Sequence, residues 1–119
     1  MPRRTEPDPL FAKIGTRIRS LREAKNLTQE KAAYESGLKS KGHLSGIEKG
    51  LIRPTLKTLT LLAERLEVDL LDLFTFPEDS PRQQLVELTR QMKAGTIRRL
   101  IRDGRGGQKA KPPGSTAAG

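Results

Sequence analysis

Two short helical segments separated by a glycine constrain the fold of this chain more than any other feature. Residues 28–36 (TQEKAAYES) and 41–48 (KGHLSGIE) flank Gly37. Gly37 supplies the turn between them, and Ala33 is small enough to let the two helices cross closely. Leu44 and Ile47 stand three residues apart, as residues on one inner helix face do. We therefore predict two short helices that cross steeply at a turn.

The rest of the chain is also predicted to be helical. Its apolar residues recur every three or four positions, and no useful stretch shows the alternation of a strand. The sequence predicts an all-α fold with a flexible basic arm (1–9), a five-helix domain (10–76), a C-terminal helical extension (80–103) and a disordered Gly/Pro-rich tail (104–119). Within the extension, a break is expected at Gly95. The residues expected to begin helices are Thr28, Ser40, Thr55, Asp69, Pro81 and, after the break, Thr96.

Positive charge is concentrated in two parts of the sequence. The net charge is +9; residues 1–53 carry 12 basic and 6 acidic side chains, and residues 80–119 carry 9 and 2. The segment between them, 54–79, carries 2 basic and 6 acidic side chains. Two basic regions around an acidic one fit a nucleic-acid-binding protein. An ordinary solvated surface is the alternative interpretation.

Several other chemistries lack support in the sequence. There is no cysteine and only one histidine, so we expect no disulfide, no metal site and no cofactor. No glycine-rich phosphate loop or recognisable pair of catalytic carboxylates is present, which argues against an enzyme. No apolar run approaches the ~18 residues of a membrane span. We therefore expect a cytoplasmic, nucleoid-associated protein that does not bind membranes.

Several short motifs between residues 11 and 75 form a specific set. They are "LTQ" at the start of the second helix, Gly37, "IEKG" at the end of the third helix, Pro54, "LLAERL" and "DLF". Together they resemble the phage repressor/Cro-type (XRE-like) helix-turn-helix family. The resemblance implies a lambda-repressor-like five-helix DNA-binding domain, usually dimeric, that regulates transcription in bacteria or phages. This chain has one extra residue between Gly37 and Gly50, and Ala32 stands where leucine is usual.

The resemblance also implies which residues face DNA. With the apolar residues of the third helix kept inside, the family's base-reading positions fall on Lys41, Gly42 and Gly46. Gln29 is expected to contact a phosphate, the alternative being a solvent-exposed side chain. The predicted DNA-binding residues are Arg17, Thr28, Gln29, Ser40, Lys41, Gly42, His43, Ser45, Gly46, Lys49 and Arg53.

Some of these assignments have plain structural alternatives. Gly42 is otherwise part of the turn, Gly46 a residue that relieves packing, and His43 an ordinary surface side chain. Arg3 and Arg4 on the basic arm are candidates for insertion into a minor groove, or make no contact at all.

Arg22 and Glu48 are given a structural role instead. In the resembled family the matching arginine and glutamate form a partly buried ion pair that joins the first and third helices. We therefore expect this pair to stabilise the domain rather than to bind DNA.

Two functions follow from these observations. The first is a sequence-specific transcriptional regulator, a repressor, that binds a pseudo-palindromic operator in double-stranded DNA as a homodimer, with residues 41–48 as recognition helix. The alternative is an antitoxin or adaptor module that binds a partner protein through residues 80–103. The acidic segment 54–79 and the apolar stripe of 81–101 are the candidate region for self-association, unless the stripe packs on the protein's own core.

Overall fold

The computed structural model describes residues 5–109, with side chains through residue 106. This part of the chain contains seven helices and no strand, as the all-α prediction requires. Arg3 and Arg4, and residues 110–119 of the predicted tail, lie outside the described residues. The helices are α1 (Pro9–Ala24), α2 (Gln29–Glu35), α3 (Lys41–Glu48), α4 (Leu56–Leu66), α5 (Leu70–Leu73), α6 (Pro81–Arg90) and α7 (Ala94–Lys109).

Local capping explains where α2 to α4 begin. The hydroxyl of Thr28 accepts a hydrogen bond from the amide of Lys31 at 3.1 Å, and Ser40 accepts one from His43 at 3.1 Å. Thr55 caps α4 in the same way, and such caps each contribute about 1 kcal/mol. The helix starts predicted from these residue types are therefore confirmed.

The beginning of α1 corrects the predicted extent of the basic arm. Asp8 caps the helix by accepting hydrogen bonds from the amides of Leu10 and Phe11 at 3.0 and 3.2 Å, and Pro9 occupies the first helical position. The amide of Asp8 also donates to the carbonyl oxygen of Gly50 at 3.2 Å. Asp8 and Pro9 therefore belong to the folded domain.

The chain divides into two compact units, one ending at Glu87 and one beginning at Leu88. In the first unit, α1 packs against α3, α2 against α3, and α4 against α5. The core side chains are aliphatic, as the scarcity of aromatic residues predicts. The largest fully buried apolar side chains are Ile18, Leu44, Ile47, Leu62 and Leu73.

The second unit differs from the prediction in two respects. The break in the extension falls at residues 91–93, before α7, and Gly95 lies in the first turn of that helix. The helix then continues to Lys109, six residues beyond the predicted end at 103, so part of the predicted tail is helical. The Gly/Pro-rich, basic composition suggested disorder from residue 104 onwards, but glycine only lowers helix stability and does not exclude a helix.

Glycine at position 15 lets α1 and α3 cross closely. A β-carbon built on Gly15 would lie 2.3 Å from the carbonyl oxygen of Ile47 and 2.5 Å from that of Glu48. Both obstacles are backbone atoms, which cannot rotate away. A side chain at this position would push α3 from its place in the domain.

Replacing Gly15 by alanine is expected to lower the free energy of unfolding by about 1–3 kcal/mol, because the added methyl group overpacks the crossing. Gly42→Ala is the matched control, since the nearest atom to a β-carbon there is the Ser40 Oγ at 3.7 Å. The control is expected to raise the free energy of unfolding by up to about 1 kcal/mol through helix propensity. Urea denaturation measures both; equal effects of the two substitutions would contradict this account of the crossing.

Candidate nucleic-acid interface

One face of α3 is open to solvent and carries positive charge. Lys41, Ser45 and Lys49 stand four residues apart and therefore share this face. Lys41 and Lys49 are exposed and Ser45 is half-buried. Leu44 and Ile47, on the inner face, are buried in the core. The amphipathic character of α3 thus presents a basic face while its apolar face holds the helix in place.

The basic face of α3 borders an open cleft of about 630 Å³ next to the start of α2. Thr28 and Gln29 come from the start of α2, and Arg19 comes from α1. Glu30 is the one acidic residue that lines the cleft. The full lining is Arg19, Arg22, Thr28, Gln29, Glu30, Lys41, Ser45 and Lys49.

A buried ion pair lies at the base of this cleft. The guanidinium of Arg22 donates to both carboxylate oxygens of Glu48, at 2.7 and 3.1 Å, and to the carbonyl oxygen of Leu27 at 2.6 Å. The side chains of Arg22 and Glu48 are 9% and 2% exposed. A bidentate, buried arginine–carboxylate pair fixes both direction and distance. It therefore holds α3 against α1, as the resemblance implied.

Gln29 is attached to the same pair. Its Nε2 donates to the Oε1 of Glu48 at 2.9 Å, and its side chain is half-buried. This bond joins the start of α2 to the end of α3. The phosphate contact expected of Gln29 remains a prediction.

Arg17 does not lie on the candidate interface. Its Nε donates to the carbonyl oxygen of Asp72 at 2.8 Å and its Nη2 to Glu87 at 2.6 Å, and the side chain is 8% exposed. The prediction that Arg17 contacts DNA is wrong, because the guanidinium is used to join α1 to α5 and α6.

Gly46 and His43 also lie away from the basic face. A β-carbon on Gly46 would lie 2.4 Å from the Cδ1 of Ile52, so Gly46 faces the inside and relieves packing. His43 is half-buried, and at about 100° per residue it lies on the other side of α3 from Ser45. The predicted role of Gly46 in DNA contact is therefore wrong, whereas that of His43 remains a prediction. Gly42, by contrast, is exposed with open space around it.

The remaining residues predicted to contact DNA are exposed, but their side chains already have partners within the protein. Thr28 and Ser40 are exposed and use their hydroxyls as helix caps. Arg53 is exposed, with its guanidinium 5.5 Å from the ring centre of Phe11 and 3.4 Å from Asp8. Exposed pairs of this kind contribute little, about 0–1 kcal/mol, so Arg53 can exchange its partner for a phosphate.

Arg19 is the cleft residue that the sequence analysis missed. It is exposed on α1, where it forms an ion pair with Glu23 at 3.2 Å. The helical register of α1 distinguishes it from Arg17, because Arg17 is three residues after Ile14 and four before Leu21, on the core face. That signal was present in the sequence.

Other kinds of site find no support in the residues that the structure describes. Over residues 5–109, no three His, Asp or Glu side chains come close enough together to hold a metal ion. Within the same range, no helix combines the length and apolar character needed to cross a bilayer.

Comparison with known proteins agrees with this geometry. A family model described as helix-turn-helix matches residues 18–73. An uncharacterized HTH-type transcriptional regulator, y4dJ of Sinorhizobium fredii, is 38% identical over 68 residues, which are 57% of this chain and 87% of y4dJ. The chain belongs to the XRE-type helix-turn-helix family of transcriptional regulators. The matched region includes α2, α3 and the ion pair beneath them.

Solved structures of this family share the fold. The restriction-modification controller protein C.AhdI of Aeromonas hydrophila is 38% identical, with a TM-score of 0.52 over 54% of this chain and 91% of the controller. The controller protein C.Esp1396I is 29% identical, with a TM-score of 0.54 over 72% of this chain and 99% of its own. The matched chain of a SinR protein/SinI protein complex is 26% identical, with a TM-score of 0.57 over 82% of this chain and 99% of its own.

Replacing Arg22 by alanine is expected to lower the free energy of unfolding by about 3–5 kcal/mol, because Glu48 is left as an uncompensated buried charge. The matched control is Arg19→Ala on the same helix, whose exposed pair contributes about 0.3–0.5 kcal/mol. Thermal and urea unfolding measure both. An Arg22→Ala variant as stable as the control would show that the pair does not hold the domain together.

Proposed function

We propose that this helix-turn-helix regulator is a repressor that binds a pseudo-palindromic operator as a dimer, with α3 as its recognition helix. The observation that supports this proposal is the basic face of Lys41, Ser45 and Lys49, fixed to the domain by the buried Arg22–Glu48 pair. A helix of this kind fits the ~12 Å major groove of B-DNA. Occupation of an operator by such a dimer would exclude other proteins from the site.

In the proposed complex the base contacts are few. Lys41 donates to the acceptors of a guanine, worth ~1–3 kcal/mol of discrimination, and Ser45 contacts a base or a phosphate. Gly42 lets the helix backbone approach the groove closely because no side chain intervenes. Lys49, Thr28, Gln29, Ser40, Arg53 and the added Arg19 contact the phosphate backbone. With so few base contacts, DNA shape and charge supply much of the recognition.

The dimer interface in this proposal is the outer surface of α5. Leu71 and Phe74 stand three residues apart at this helix and are 59% and 39% exposed. Apolar side chains on one exposed face favour association. A two-fold dimer would place its recognition helices at half-sites about 34–36 Å apart or a multiple of that.

A second function, binding of a partner protein, is favoured by one comparison. The likeness to the SinR protein/SinI protein complex covers 82% of this chain, and thus more than the helix-turn-helix match at residues 18–73. We propose that residues 80–103 contribute to such an interaction.

A DNA-bound regulator would act in the cytoplasm at the nucleoid, as a binding protein rather than as an enzyme.

Selection of bound duplexes from a random DNA library tests the DNA-binding proposal. We expect a palindromic consensus. Lys41→Ala should relax the sequence preference at one base pair per half-site. Lys49→Ala should weaken binding to all sequences and reduce the slope of log affinity against log salt by about 0.9. Gly95→Ala is the control, since nothing lies within 4 Å of a β-carbon there and no charge changes. Absence of any enriched sequence, or affinity that does not vary with salt, would refute the proposal.

Replacing Leu71 by glutamate is expected to shift the dimer towards monomer by at least ten-fold in dissociation constant, since ~1.4 kcal/mol of lost apolar burial has that effect. Leu10→Glu is the control, because Leu10 is 56% exposed at the start of α1, outside the segment 54–79. Sedimentation equilibrium measures both. A wild-type monomer at micromolar concentration, or an undisturbed Leu71→Glu dimer, would exclude this interface.

A further inference from the structure

Three of the four arginines of α7 occupy one side of the helix. At about 100° per residue, Arg98, Arg102 and Arg105 fall within about 60° of one another. Leu100 lies on the opposite side, whereas Ile97 and Ile101 flank the arginines. All three arginines are exposed. The helix therefore carries a narrow line of positive charge, which we call the arginine line.

Within the described residues the arginines of this line form no ion pair with a carboxylate, and neither do Lys31, Lys39 and Lys57 of the first unit. Lys41 and Lys49 of the candidate interface are unpaired over the same range. The cations of the first unit that do have a carboxylate partner are Lys13, Arg17, Arg19, Arg22, Lys25, Arg53 and Arg65.

The second half of α7 is a poor helix by its own sequence. Gly104, Gly106 and Gly107 each lower helix stability. Arg98 and Arg102 stand four residues apart, and Arg102 and Arg105 three apart, so their like charges destabilise the helix further. A polyanion that neutralised the arginines would remove this repulsion. The charge pattern thus favours an anionic ligand along the helix.

We propose that α7 is a second DNA-binding element, in which the arginine line binds the phosphate backbone. Arg105 follows Arg98 by seven positions, a length of about 10 Å along a helix. One strand of B-DNA presents a phosphate every ~3.4 Å along its axis, so about three phosphates span the same length. Arginine also forms bidentate hydrogen bonds with phosphate oxygens.

The observations favour DNA over an acidic protein as this ligand. Protein interfaces have an apolar centre, whereas phosphate binding needs only accessible cations. Beside Arg98, Arg102 and Arg105 stands one apolar side chain, Ile101, which is too little to form the apolar centre of a protein interface. The proposal rests on the proposed function, because it assigns to the same ligand a second surface separate from α3.

The test is the salt dependence of binding to a 30-base-pair duplex without an operator, using the full chain in 50–300 mM KCl and fluorescence anisotropy. Arg102→Gln with Arg105→Gln is expected to reduce the slope of log affinity against log salt by about 1.8, since each lost phosphate contact removes about 0.9. Arg82→Gln with Lys93→Gln is the matched control, because it removes the same charge from two exposed positions outside the line. The control should change the slope by less than about 0.3.

A third variant, Lys41→Gln with Lys49→Gln, separates the two proposals. If it lowers the slope while the α7 variant behaves like wild type, the α7 proposal fails and the recognition-helix proposal stands. If only the α7 variant lowers the slope, the recognition-helix proposal fails and the α7 proposal stands. Poly-L-glutamate is the second probe: if it binds the wild type through the α7 arginines while the duplex does not, the ligand is an acidic protein and the proposal is overturned. Far-ultraviolet circular dichroism of each variant confirms that it is folded.

Discussion

The bidentate bond between Arg22 and Glu48 is the interaction on which the candidate interface depends. α3 has only eight residues and α2 only seven, so neither is stable by itself. The Arg22 guanidinium joins α1 to α3 and to the carbonyl oxygen of Leu27, and Gln29 adds α2 to the same carboxylate. Three elements are thus positioned by one buried charge pair. The lysines of α3 can face solvent because the opposite side of the helix is held in this way.

Close backbone approach complements the ion pair. Gly15 allows α1 to lie directly against the end of α3, and Gly46 leaves room for Ile52. The two glycines permit close packing around α3, and the ion pair fixes α3 to α1. The helix propensity that α3 gives up at Gly46 is offset by packing, which is why a short helix with two glycines stays ordered.

Much of the fold was predictable because its signals are local. Helix caps at Thr28, Ser40 and Thr55 depend on residues within one turn, and the sequence places them correctly. The side chains of the interface were harder to assign. Arg17 is bound to Glu87, 70 residues later, and Gly46 packs against Ile52, which follows the end of α3. Residue type alone does not show such partners. The helical register did hold the information for Arg17, since its position between the core residues of α1 points inwards.

The bond between Arg17 and Glu87 bears on where this domain ends. The helix-turn-helix match stops at residue 73, but a buried guanidinium on α1 takes one of its acceptors from α6. A shortened protein cut after the matched region would retain the cation and lose that carboxylate. A fragment that keeps this ion pair therefore extends at least to residue 87, beyond the boundary drawn from sequence similarity.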